Sequence, residues 1–150
     1  MSGYTIQVNA EGFTKDLGRV EKSLRGKAVV AAVQAGGHQV MNFARLNIHS
    51  TFSKHQTGGL SNSISVEAKA VGKGAEATIA PHKVYARIQE LGGTIRPKSA
   101  ARLVWRDPDT GKWCAAKQVT LPPRPYLRPA VEDHMTEIRD AMLSAIDSFI

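Results

Sequence analysis

Between Ala28 and Ile48 the chain sets apolar and small residues at helical spacing: Ala28, Val29, Ala32, Val33, Gly36, Gly37, Val40, Met41, Ala44 and Ile48. A stripe that long predicts a helix of several turns, and its apolar surface has to be covered by other elements. The alanines and glycines in it leave room for a close neighbour, so the expectation is a second helix packed near its backbone. With 150 residues the chain has material for one such core, and a single domain over 1–150 is expected.

The remaining patterns supply that covering. Tyr4, Ile6 and Val8 alternate with polar residues and predict a first strand, broken at Glu11-Gly12. Phe13, Leu17, Val20 and Leu24 predict a helix ending near Gly26. Residues 50–63 are rich in Ser, Thr, His and Gly and predict an extended loop. Ile64, Val66 and Ala68, then Ala75, Ala77 and Ile79, flank Gly72-Lys73-Gly74 and predict a hairpin. His82 to Leu91 reads as a short helix with Val84, Tyr85, Ile88 and Leu91 on one side, stopped by Gly92-Gly93. Thr94 to Pro122 predicts a second hairpin with a long excursion over 96–118, turning at Asp107-Pro108-Asp109-Thr110-Gly111. Pro122-Pro123-Arg124-Pro125 excludes helix and central strand. Pro129 then opens a terminal amphipathic helix carrying Val131, Met135, Ile138, Met142, Ile146 and Phe149, with Glu132 and Asp133 near its N-terminal end. The fold class is therefore α+β: an antiparallel sheet or small sandwich packed by long N-terminal helices and a C-terminal amphipathic helix.

No apolar run reaches the roughly 20 residues that span a bilayer, and the first residues lack a secretory pattern, so synthesis in a cytoplasm without a membrane partner is expected. A lone Cys114 excludes an internal disulfide and a thiolate-rich metal site. The formal charge of +7 is uneven. Residues 83–128 hold ten Lys and Arg against three acids, whereas 129–150 hold one against five. A basic middle followed by an acidic helix suits charge-complementary contact between copies or with other subunits.

A search for chemistry is mostly negative. His38, His49, His55, His82 and His134 lack metal-ligand spacing, there is no nucleophile elbow, and Thr57-Gly58-Gly59-Leu60 lacks the lysine of a phosphate loop. Neither an enzyme nor a cofactor or metal site is expected. Arg96, Lys98, Arg102, Arg106, Lys112, Lys117, Arg124 and Arg128 lie close in sequence with Trp105, Trp113 and Tyr126 among them. That composition fits non-specific contact with nucleic acid, but no helix joins a basic face to side chains suited to base edges.

Three pieces occur in order: Thr57-Gly58-Gly59-Leu60-Ser61-Asn62-Ser63-Ile64; Tyr85-Ala86-Arg87-Ile88-Gln89-Glu90-Leu91-Gly92-Gly93-Thr94-Ile95; and Pro123-Arg124-Pro125-Tyr126-Leu127-Arg128-Pro129-Ala130. Together, over nearly the whole chain, they resemble the head-tail joining or tail-completion proteins of long-tailed bacteriophages, a family of minor tail and virion morphogenesis proteins. The resemblance implies a structural protein of the virion neck. It would act as a homo-oligomeric ring, with six copies preferred, between adjacent connector and tail proteins and in non-specific contact with DNA in the channel. The alternatives are a tail terminator capping the tail tube and, from another class, a free DNA-binding protein using 83–128. The expected interface residues are the eight basic residues above with Tyr126 and Leu127, where Tyr126 and Leu127 plug the last helix against the sheet. The expected structural turns are at Gly58, Gly59, Gly92, Gly93, Pro125 and Pro129.

Overall fold

The computed structural model describes residues 6–9 (main chain), 18–52, 58–72 and 74–150. Its axis is the predicted long helix, α1 (Arg25–Thr51). Gly26 does not end a helix as expected; it is the second residue of α1. The break lies upstream, in a turn where Leu24 N–H donates to Glu21 O at 2.9 Å and Arg25 Nε donates to Val20 O at 3.1 Å. One glycine costs a helix about 1 kcal/mol, a small penalty beside the packing of 27 residues. Of the helix expected over 13–24, residues 13–17 lie outside the described residues.

One side of α1 faces a three-stranded antiparallel sheet. Its strands are β1 (Ile6–Asn9), β2 (Ile64–Val71) and β3 (Gly74–Pro81), in the order β1-β3-β2. Ile6 lies opposite Ile79, and Val66 opposite the same residue on the other side. Along the central strand Ala75, Ala77, Ile79 and Pro81 are buried, alternating with partly exposed residues, as a sheet covered on one face requires. The small residues of α1 serve this layer as well as the expected helix: a Cβ placed on Gly37 would meet Val66 Cγ1 at 2.7 Å and Ala77 Cβ at 3.2 Å.

The other side of α1 is covered by α4 (Leu127–Glu132) and α5 (Met135–Asp147). The expected single terminal helix is thus broken. His134 N–H donates to Val131 O at 3.3 Å, closing the first piece, and Ile138 N–H donates to His134 O at 3.0 Å, opening the second. The His134 ring at the break stacks on Phe43 of α1 at 3.6 Å between centroids, which fixes the kink against the core. The break turns the helix so that Ile138, Met142 and Ile146 are buried while Met135, expected in the stripe, is 62% exposed. Glu132 and Asp133 stand at the end of α4, just before α5.

The polar stretch 50–63 is not wholly loop. Ser50 and Thr51 finish α1, and a single turn, α2 (Gly59–Asn62), buries Leu60 and Ser61. Arg45 Nε donates to Ser61 O at 3.2 Å and ties that turn to α1. Residues 53–57 lie outside the described residues.

Candidate functional site

Two of the three sequence pieces meet in space at one buried carboxylate. Helix α3 (Ala86–Leu91) buries Ala86 and Glu90, one turn apart, rather than the expected side; Val84, Tyr85 and Leu91 are exposed. The inward face is set by hydrogen bonding. Glu90, 2% exposed, accepts the N–H groups of Tyr126 at 2.7 Å, Leu127 at 3.0 Å and Arg128 at 3.0 Å. These are the otherwise unsatisfied donors at the start of α4, so a residue 36 to 38 positions away in sequence caps that helix and places negative charge at its positive end. Tyr126 Oη donates to Ala86 O at 3.4 Å, and Asn47 Nδ2 of α1 donates to Tyr126 O at 3.0 Å. Burial first, then the charges of Glu90 and Tyr85, push the Tyr126 phenol well above its ordinary pKa.

Tyr126 and Leu127 are consequently inside the fold, against α1 and α3, and not against the sheet or at a subunit surface as expected. Arg124 and Arg128 also differ from the other expected interface residues. The Arg124 guanidinium lies 5.6 Å from the Phe52 ring centre, and Arg128 Nε pairs with Glu132 Oε1 at 2.8 Å.

An arm leaves the body beside this junction. Strands β4 (Gly93–Ile95) and β7 (Val119–Leu121) pair antiparallel, and nested between them β5 (Leu103–Arg106) pairs with β6 (Trp113–Ala116). This is the predicted hairpin with its excursion. Gly92 forms the root: at φ +69°, a Cβ there would stand 2.6 Å from Pro123 N and 2.8 Å from Leu121 O. Only glycine fits. Arg124 N–H donates to Gln89 O at 2.8 Å and fastens the returning strand. Thr94 and Thr120 hydroxyls bond across the ribbon at 3.0 Å, and Arg96 Nε donates to Gln118 Oε1 at 3.2 Å. At the tip Asp107 Oδ1 accepts the N–H groups of Asp109 and Thr110, and Arg106 Nε donates to Gly111 O.

Of the remaining expected turn positions, Gly58 (φ +72°) caps α2, Gly59 begins it, Gly93 (φ +151°) begins β4, Pro125 is in the extended approach and Pro129 is in the first turn of α4.

The arm carries Arg96, Lys98, Arg102, Arg106, Lys112 and Lys117, all exposed except for their local bonds. The pairing also separates its two faces. Val104 lies opposite Ala115 and Arg106 opposite Trp113, so these four share one face, and all four are exposed, Val104 by 64% and Trp113 by 74%. Leu103, Trp105, Cys114 and Ala116 share the other face, which is more covered. Neither ribbon packs extensively on the helices or on the three-stranded sheet.

Comparison of the chain with family models, curated proteins and solved structures finds no match.

Among the described residues no group of three or more His, Cys, Asp or Glu is placed to hold a metal ion, and no helix is long and apolar enough to cross a membrane. The sequence alone does not mark Glu90 as the junction. Its signal was present as the Ala86 and Glu90 spacing within a short helix, but a carboxylate in that position reads as solvent-facing until its three donors are brought to it.

Proposed function

We propose that the chain is a structural subunit of an assembly, the homo-oligomeric ring at the neck of a long-tailed phage that completes the tail and joins it to the head. The observation that carries this reading is the arm: a rigidly rooted, basic, two-stranded projection with exposed Val104 and Trp113 on one face. A lone hairpin is marginally stable in water, and an apolar face held away from its own core gains stability when another surface covers it. The ordered sequence pieces add support, because the second and third join at Glu90 and so form the arm's foundation. A subunit of this kind acts by shape and contact, with no group that must transfer a proton or an electron pair.

The reading is tested with the purified full chain. Native mass measurement and negative-stain imaging are expected to give closed rings, and pull-down with connector and tail proteins from disrupted particles is expected to retain both. A chain that remains a monomer, binds neither and holds duplex DNA with steep salt dependence would instead be a DNA-binding protein.

A further inference from the structure

A surface of charge opposite to the arm's lies on the same chain. On α5 the exposed residues Glu137, Asp140, Ser144 and Asp147 follow one another at spacings of three and four, forming an outward stripe. From Glu137 to Asp147 that stripe is about 15 Å long at 1.5 Å per residue. Glu132, paired with Arg128, and Asp133 are exposed at the end of α4, ahead of the break at His134. Met135, although 62% exposed, stands two turns before buried Met142 on the inward-turning side of α5, so the stripe itself carries acids and a serine. The surface is acidic.

The arm is its counterpart, an apolar face of Val104, Trp113 and Ala115 edged by basic residues. Residues 93–121 hold six Lys and Arg against two Asp, a balance of +4, and 129–150 hold one against five, a balance of −4. Within one copy the arm has no extensive contact with α5. We infer that the exposed face of the β5–β6 hairpin in one copy docks on the Glu137–Asp147 stripe of α5 in a second copy. The contact joins two different surfaces, so it is head-to-tail and repeats from copy to copy, closing as a ring where the rotation permits. The aliphatic and aromatic centre of the arm face favours a protein partner over a phosphate backbone, which would engage the basic rim and leave Val104 and Ala115 bare.

This inference deepens the ring reading and rests on self-association, not on the neck role. The test uses the full chain with two charge reversals: K112E/K117E on the arm and D140K/D147K on α5. These are exposed positions outside the core, so both variants are expected to fold, as checked by circular dichroism. Each alone is expected to weaken self-association about tenfold or more at low salt. Mixed in equal amounts, the two variants are expected to assemble with each other, because each then meets the opposite charge. One chain carrying all four changes is expected to self-associate again. W113S, which leaves charge untouched, is expected to weaken association as well. If the wild-type chain self-associates and neither reversal changes its mass, this interface is wrong while the ring stands. If the wild-type chain is monomeric at every concentration reached, both fall. If K112E/K117E alone removes binding to duplex DNA and the mixed variants do not assemble, the arm belongs to nucleic acid and the inference is overturned.

Discussion

Replacing Glu90 should damage this fold more than replacing any other charged side chain among the described residues. Its two oxygens satisfy three main-chain donors at 2.7 to 3.0 Å, two of them in fully buried bonds and the third, from Arg128, in a partly buried one. Glu90→Ala leaves the Tyr126 and Leu127 N–H groups without a partner and removes the charge from the start of α4. At about 1–3 kcal/mol for each stranded donor, with water reaching the third, the expected loss is about 3–5 kcal/mol. Glu90→Gln retains one oxygen, which can take the two buried bonds, and turns its amide NH2 toward the Arg128 N–H, so about 2 kcal/mol is expected. For a chain of this size about 2–4 °C is lost per kcal/mol, placing the alanine variant about 10 °C below wild type. Urea unfolding followed by circular dichroism measures both differences. An alanine variant within about 1 kcal/mol of wild type, or a glutamine variant as damaging as alanine, would refute the capping argument.

Other substitutions probe the remaining joints. Gly92→Ala places a Cβ against the main chain at Pro123 and Leu121 at a positive φ, and about 2–4 kcal/mol of destabilisation is expected in thermal unfolding. Gly37→Val drives a side chain into Val66 and Ala77, and about 1–3 kcal/mol is expected, with the α1 to sheet spacing changed in near-UV circular dichroism. Because the Tyr126 phenol is raised in the folded state by burial, the unfolded chain releases that proton first as pH climbs past about 10. The stability tied to it is therefore complete below that pH and declines above it. Tyr126→Phe is expected to flatten the decline, by up to about 1.4 kcal/mol per pH unit, in denaturant titrations across pH 9 to about 11. Trp113→Ala should leave monomer stability within about 0.5 kcal/mol of wild type while reducing assembly, read by comparing unfolding with sedimentation.

The sequence was most legible where one period ran uninterrupted. The stripe from Ala28 to Ile48 and the alternation through Ala75, Ala77 and Ile79 are local patterns whose buried faces follow from geometry, and both are as read. The nested arm was legible for a different reason: Asp107 to Gly111 and Gly92-Gly93 are backbone requirements that survive any tertiary context. What was not legible depends on distant partners. The terminal helix breaks at His134 because its ring finds Phe43, nearly a hundred residues away, and no proline or glycine marks the spot. The short helix turns Glu90 inward and Leu91 outward because three amides from residues 126–128 need an acceptor. Set among arginines, Tyr126 reads as an interface residue in the sequence, yet the same capping draws it into the core. The arm's candidate face required the strand register, which sets Trp113 beside Arg106 and separates it from Trp105.

The proposed role is assembly at the phage neck, and electron microscopy of particles produced with and without this chain puts it to the test. Without it, DNA-filled heads and finished tails are expected to accumulate apart, and supplying the purified chain is expected to join them through a ring. Normal joined particles forming in its absence would overturn the neck role.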